Sequence, residues 1–510
     1  MSAEQVDENS PKGNPPMGDR PMGDSPKDSS MKIGGKAFLF SAAILLVLMT
    51  VSGILTRILP AGLYDRAVSE GRTLVVNGSY REISRPEYPI WRWFTAPLEI
   101  LIGPDNLTPI VLIVFLLVIG GSITILESAG VMEALINSLV ARFSRRKYLL
   151  IVVMVFFFMS MASFVGIYEE MVPLIIFVVP VAISLGWDSL TGLGMSLLPL
   201  AFGFASAVTN PFSIAVAQKI AGLPLFSGAL LRLVFFVTIF CLVCLFVIRY
   251  AKKVEKNPQS SISFREDEAL RQKQTTGSET AGAVKSLIGK KQLRALVWFV
   301  SCIAFAMVLV ISTARMPVLS DLAFPLMTVL FLIGGVGAGI LAGLSAGKIG
   351  GTLIRGMLNI LPGILLVLMA YSVKHIISSG MIMDTILYRA AELIGKSPPM
   401  AAAFLIYATT LVIEFFIGSA SAKAFLMMPL LAPLADLVGI TRQTAVLAFD
   451  FGDGFSNMIF PTNALLLIAL SFTVVSYTKW MRWTWKLQLV ILVITSAFLA
   501  FAVKTGFGPF

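Results

Sequence analysis

Two stretches of this chain carry apolar runs that halt at small, polar and charged residues rather than at basic loops. In the later stretch, the run 401–417 stops at Gly418-Ser-Ala-Ser-Ala-Lys423, and a second run, 424–438, follows at once and ends at Gly439. A third begins near Thr444 and is broken by Phe451-Gly-Asp-Gly-Phe-Ser-Asn457 and then by Pro461-Thr-Asn463. Each arm is shorter than the roughly 20 residues that a crossing helix needs. Two such arms around a polar tip predict a re-entrant hairpin. The interrupted run predicts a helix that breaks inside the membrane. Glu414, Lys423, Asp450 and Asp453 lie in apolar company. Ionisable groups at that depth are costly and turn toward a cavity or a partner.

Residues 148–212 repeat this plan. One apolar arm stops at Gly166-Ile-Tyr-Glu-Glu170, the next ends at Gly186, and the following run breaks at Gly203-Phe-Ala-Ser-Ala-Val-Thr-Asn-Pro211. Pro180, Ala182 and Gly186 keep the mutual spacing of Pro433, Ala435 and Gly439. Gly166 precedes Pro211 by 45 residues, and Gly418 precedes Pro461 by 43. Shared order and spacing predict an internal repeat.

The remaining pattern predicts an all-α polytopic membrane protein with two inverted-topology repeats and about nine spans plus two hairpins. Residues 1–36 are rich in Pro, Gly, Ser, Asp and Lys and read as a disordered cytoplasmic tail. The first repeat covers 37–250, with a hairpin at 148–186 and a broken helix at 188–225. A cytoplasmic linker occupies 251–294 and an extra span 295–320. The second repeat covers 321–510, with a hairpin at 401–439 and a broken helix at 442–476. Spans are expected at 37–58, 108–126, 230–248, 295–312, 322–344, 357–377 and 485–503. Residues 60–107 read as a polar loop. Gly335, Gly339, Gly343 and Gly347 recur every four residues on one helix face, fitting close packing in a scaffold or a dimer seam.

Composition agrees: 510 residues, 56% hydrophobic and 14% charged, with a mean hydropathy of +0.85. The net charge of +11 therefore speaks to topology and not to nucleic-acid binding. With the basic loops 142–147 and 249–294 in the cytoplasm, the first hairpin enters from inside and the second from outside. Cys241 and Cys244 have C-x-x-C spacing without a second ligand pair, which argues against zinc or redox chemistry. No G-x-x-x-x-G-K-[ST] run is present, so ATP hydrolysis by this chain is not expected. No nucleophile–base pair marks an enzyme, and no filter-like loop marks a channel. The single His375, beside Lys374, reads as a satisfied or interfacial side chain.

In an inverted-repeat carrier the tips and breaks meet near the midplane. The substrate site would then draw on Glu169, Glu170, Thr209, Asn210, Ser419, Ser421, Lys423, Asp450, Asn457 and Asn463. Ser206, Asp453, Ser456 and Thr462 would suit a cation, Na⁺ only among metals. Half-helix N-termini would favour a carboxylate. The alternative for Lys423 is a structural bridge to Asp450 or Asp453.

Gly-Ile-Tyr-Glu-Glu170, Gly203-Phe-Ala-Ser206, Asn210-Pro211, Ala217-Gln-Lys-Ile-Ala-Gly222, Met428-Pro-Leu-Leu-Ala-Pro433 and Phe451-Gly-Asp-Gly-Phe-Ser456 resemble the YfcC-type carriers. Those are grouped with the anaerobic four-carbon-dicarboxylate carriers and the arginine/ornithine antiporters of the ion transporter superfamily. The resemblance spans roughly residues 37–505. It implies a multi-pass secondary transporter of the bacterial inner membrane, often a homodimer, with a scaffold domain and a moving transport domain. Its partners would be a small-molecule substrate and the bilayer, with no cofactor beyond Na⁺ or H⁺ as a coupling ion. Basic amino-acid exchange or ion-coupled uptake is the expected activity, and four-carbon-dicarboxylate transport is the alternative.

Overall fold

The computed structural model describes residues 35–69, 72–103, 106–268, 289–313 and 322–508. Residues 1–34 of the expected tail, 269–288 of the expected linker and 314–320 of the expected extra span lie outside these residues, and the last two residues of the expected tail belong to the first helix. Helix α1 (Gly35–Ile58) leads to a loop carrying α2 (Arg92–Glu99). Then come α3 (Leu107–Ser128), α4 (Val131–Phe143), α5 (Lys147–Ser160), α6 (Ile175–Ser184), α7 (Ser189–Gly194), α8 (Leu197–Ala205), α9 (Ile214–Ile220) and α10 (Ala229–Lys256). The second half holds α11 (Lys290–Thr313), α12 (Ala323–Ala342), α13 (Ala346–Ser379), α14 (Met383–Gly395) and α15 (Pro399–Glu414). It ends with α16 (Ala420–Val438), α17 (Arg442–Gly454), α18 (Ala464–Ser471) and α19 (Tyr477–Thr505).

Among the described residues, nine helical stretches are long and apolar enough to cross a membrane. That number equals the expected one, but the members differ. Val131–Val165 and Ala420–Val438 qualify by length, although both were expected to contain hairpin arms. The runs 188–225 and 442–476 do not qualify, because each is divided into short helices as the glycine and asparagine breaks predict. Helix α13 is 34 residues long and starts well before the expected 357. The Ser345 side chain accepts from the Lys348 N–H and caps its start, and Pro362 is accommodated within it.

The glycine stripe does not lie on one helix. Gly335 and Gly339 of α12 face Ser122 and Ile125 of α3, where an added Cβ would come within 2.7 and 2.8 Å. Gly343 ends α12 at φ +92°, a conformation that costs glycine little, and Gly347 belongs to α13 with open space around it. Close packing thus accounts for two of the four glycines.

The loop 60–107 is more ordered than its polar sequence predicts. Strands β1 (Gly62–Leu63), β2 (Arg66–Ser69), β3 (Arg72–Val75) and β4 (Arg81–Glu82) form two antiparallel pairs, β1 with β4 and β2 with β3. Arg66 pairs with Val75 and Val68 with Thr73. Asp384 of α14 anchors this layer: its carboxylate accepts from the Tyr64 N–H at 2.9 Å and from Arg66 Nη2 at 2.8 Å. Tyr80 stacks on Tyr388 with ring centroids 4.1 Å apart.

On the same loop, Glu99 accepts from Arg92, Thr95 and, at 3.3 Å, His375. His375 is therefore an anchored side chain. Burial alone would raise the Glu99 pKa, but its hydrogen bonds outweigh that and hold it at about 2, below the ordinary 4.5. Glu99 therefore stabilises the fold above pH 4.5, and that contribution is lost as the pH falls toward 2. Glu99→Gln is expected to lower the thermal midpoint at pH 7 and to narrow its gap from wild type as the pH is lowered. A gap that is constant between pH 7 and pH 3 would refute this account.

The linker also begins later than expected. Residues 257–268 fold back onto the first half, where Asp188 accepts from Tyr250 at 2.7 Å and Ser261 at 2.6 Å. Asp267 accepts from the Ser189 N–H at 3.0 Å and Ser263 at 2.6 Å, and Glu266 pairs with Lys479 at 2.5 Å. Both buried aspartates are satisfied by hydroxyls and backbone, which a polar Ser/Asp sequence does not distinguish from a solvated linker.

Candidate functional site

The two repeat-like blocks meet inside the molecule. Gly454 of α17 lies against Ala205 of α8 so closely that a Cβ would come within 2.3 Å of the Ala205 Cα. Phe202 packs on Phe455 and Phe235 on Phe451, with centroids 5.3 and 4.5 Å apart. The Ser421 hydroxyl donates to the Phe212 carbonyl at 2.7 Å, joining the start of α16 to the chain just before α9.

In the first block, α5 passes into a π-helical turn, Met161–Val165, and stops at Gly166 with φ +81°. Asn210 holds this turn in place. Its amide donates to the Ala162 carbonyl at 3.1 Å, and its oxygen accepts from the Phe212 and Ser213 N–H groups at 2.8 and 3.2 Å. A Cβ on Gly166 would come within 2.4 Å of that oxygen, so glycine is required there by space as well as by φ. The Thr209 hydroxyl donates to the Phe164 carbonyl at 3.0 Å. Asn210 and Thr209 therefore bind their own backbone. Glu169 and Glu170 follow the tip, Glu169 half-buried and Glu170 buried, with no basic partner for either among the described residues. Glu169 lies in electrostatic reach of Asp453, Tyr168 and Tyr371.

In the second block, the Ser419 side chain accepts from the Ala422 N–H and caps α16, and both Gly418 and Ser419 are exposed. Four residues on, Lys423 is fully buried and ion-paired to both Glu414 and Asp453. Of the two structural bridges the sequence allowed, the one to Asp453 is present. Asp450 sits apart, within reach of Arg232. Ser213 and the Ala207 N–H approach Asp450 without meeting hydrogen-bond geometry. Asn463 accepts from the Leu465 and Leu466 N–H groups at 3.0 and 3.1 Å, capping α18, and its amide donates to Asn457.

Three of the four expected cation ligands already have partners within the protein. The Ser206 and Ser456 hydroxyls donate to the Phe202 and Gly452 carbonyls of their own helices, and Asp453 is engaged by Lys423. The Thr462 hydroxyl is without a partner among the described residues. Two charged residues were absent from the expected site. Glu414 stood out in the sequence as a carboxylate in an apolar run, and its spacing from the Gly418 tip was the signal. Arg232 gave none, because an arginine at the edge of a span ordinarily snorkels. Here it is 1% exposed, donating to the Ser227 and Val208 carbonyls at 2.7 and 3.1 Å.

Among the described residues, nine candidate spans around broken helices and a buried charged centre fit a multi-pass membrane transporter. The model of the DcuC family, described as a C4-dicarboxylate anaerobic carrier, matches residues 39–504, and the chain belongs to that family. It is 31% identical to YfcC of Escherichia coli, named as a putative basic amino acid antiporter, over 85% of this chain and 90% of that protein. It is 27% identical to an uncharacterized protein of Haemophilus influenzae, over 77% of this chain and 75% of that one. Among solved structures, Neisseria gonorrhoeae MtrF matches with 15% identity and a TM-score of 0.41, covering 92% of this chain and 95% of that one. The Alcanivorax borkumensis YdaH transporter matches with 17% identity and a TM-score of 0.39, covering 92% and 99%.

Proposed function

We propose that this transporter exchanges basic amino acids across a bacterial inner membrane by alternating access. One observation carries the reading. Both buried cations of the centre are already engaged, Lys423 by Glu414 and Asp453 and Arg232 by its carbonyls beside Asp450, whereas Glu169 and Glu170 have no basic partner among the described residues. A dianionic substrate would meet repulsion there, and an ammonium or guanidinium group would find its counter-charge. The name of the Escherichia coli relative points the same way.

The inverted-repeat reading belongs to this proposal. Arms 148–165 and 401–417 and the returning runs 169–186 and 420–439 would be the two hairpins. Equivalent close contacts support it: Gly203 meets the Met159 backbone in one block, and Gly452 meets Tyr407 and Thr410 in the other.

The family description favours a second substrate class, four-carbon dicarboxylates, for which Lys423 would have to leave its carboxylates. Counterflow in proteoliposomes separates the two. Labelled arginine is expected to enter only vesicles preloaded with arginine or ornithine. Uptake of succinate or fumarate without any amino-acid exchange would replace this reading with the second.

A further inference from the structure

Away from the charged centre, a cavity of about 220 Å³ lies between α4, α5, α6 and α11. Every residue that lines it is Leu, Met, Phe, Val or Ile, among them Leu139, Leu150, Met154, Val178, Phe299 and Ile303. It is larger than the roughly 150 Å³ apolar cavity that stays dry and takes up benzene. Its wall includes Phe157, 37% exposed, and Val300, 47% exposed, so it opens toward the bilayer.

Two groups of basic residues lie a turn or two along the chain from residues that line this cavity. Arg142 ends α4, Arg145 and Arg146 form the turn before α5, and Lys290, Lys291 and Arg294 begin α11. All six side chains are exposed, and none has an acidic partner among the described residues. Lys147, by contrast, is paired with Glu255. At 1.5 Å per residue, Arg146 lies only about 6 Å along the chain axis from Leu150, and Arg294 about 7.5 Å from Phe299. The arginine group stands at the start of α5, whose Leu150 and Met154 line the slot. The α11 group lies toward the other end of α4: Gln292 sits 4.0 Å from where a Cβ on Gly130 would stand, at the start of α4, whereas Arg142 ends it.

An apolar slot beside three unpaired arginines matches one kind of molecule, with an acyl chain in the slot and a phosphate at the arginines. We propose that this site binds an anionic phospholipid of the cytoplasmic leaflet. One acyl chain fills the slot between α5, α6 and α11, and the phosphate is held by Arg142, Arg145 and Arg146 where α4 gives way to α5. Leu174, which ends the turn begun by Glu169, lines the slot. An occupying chain therefore packs directly beneath the first tip.

The test uses the full-length protein in nanodiscs of phosphatidylcholine, with and without phosphatidylglycerol. Native mass spectrometry is expected to show retained phosphatidylglycerol in preference to phosphatidylcholine, and phosphatidylglycerol is expected to raise the thermal midpoint. Arg142→Gln with Arg145→Gln and Arg146→Gln should reduce retention at least tenfold. Val178→Phe, which fills the slot and leaves the arginines intact, should reduce it as well. Equal retention of both lipids, or phosphatidylglycerol retention unchanged in both variants, overturns the proposal. So does a mass showing that a second copy of the chain covers this face. A stabilisation reproduced by soluble glycerol phosphate and insensitive to Val178→Phe would reduce the site to an anion patch and also overturn it.

Discussion

Lys423→Met is expected to destabilise the protein by about 3–5 kcal/mol, the usual cost of removing one member of a buried charge pair. The lysine is fully buried and faces Glu414 and Asp453 together, so its loss leaves two carboxylates with no counter-charge. Most of the effect is thus a cost imposed on the partners and not a net gain from the pair. Adding Glu414→Gln and Asp453→Asn to Lys423→Met should therefore restore much of the stability, since neutral amides are far cheaper to bury than ions. The unfolding midpoint in detergent reads both variants. Lys423→Met as stable as wild type, or a triple variant less stable than the single one, would refute the buried triad.

The second large effect concerns binding. Glu170→Gln is expected to raise the dissociation constant for arginine or ornithine at least about tenfold, or roughly 1.4 kcal/mol. Two unit charges about 4 Å apart in an effective dielectric near 20 attract by roughly 4 kcal/mol, and desolvation offsets much of that. The change is nearly isosteric and breaks no ion pair, so the unfolding midpoint should stay close to wild type. Normal arginine binding by a folded Glu170→Gln protein would remove Glu170 from the site. The contrast between the two variants is itself informative: one position should move stability, the other affinity.

The features legible in the sequence were those that punctuation marks. Gly166 and Asn210-Pro211 in one block, and Gly418 and Pro461 in the other, announced helices that stop, and no helix runs through them, whereas Gly203 and Gly452 lie inside α8 and α17, two residues before each ends. Which groups pair across the centre was not legible. Asp450 and Asp453 are three residues apart and both were open to Lys423. The choice depends on where α17 turns against α16, and that is set by long-range packing such as Gly454 on Ala205. Arg232 was hidden because its burial depends on carbonyls that the local pattern does not mark, that of Ser227 five residues before it and that of Val208 twenty-four before. The strands of the outer loop escaped notice because two to four residues are too few to show alternation. The folded start of the linker escaped because serine and aspartate look alike whether they meet water or each other.

Asn210 has a mechanical consequence. By holding Ala162 on one side and Phe212 and Ser213 on the other, it couples the tip of the first block to the run that leads into α9. The two cannot swing independently. Any displacement of that tip carries its broken helix along as one lever. Beyond it, the bond from Ser421 to the Phe212 carbonyl ties that lever to the start of α16, alongside the packing of Gly454 on Ala205 and Phe455 on Phe202.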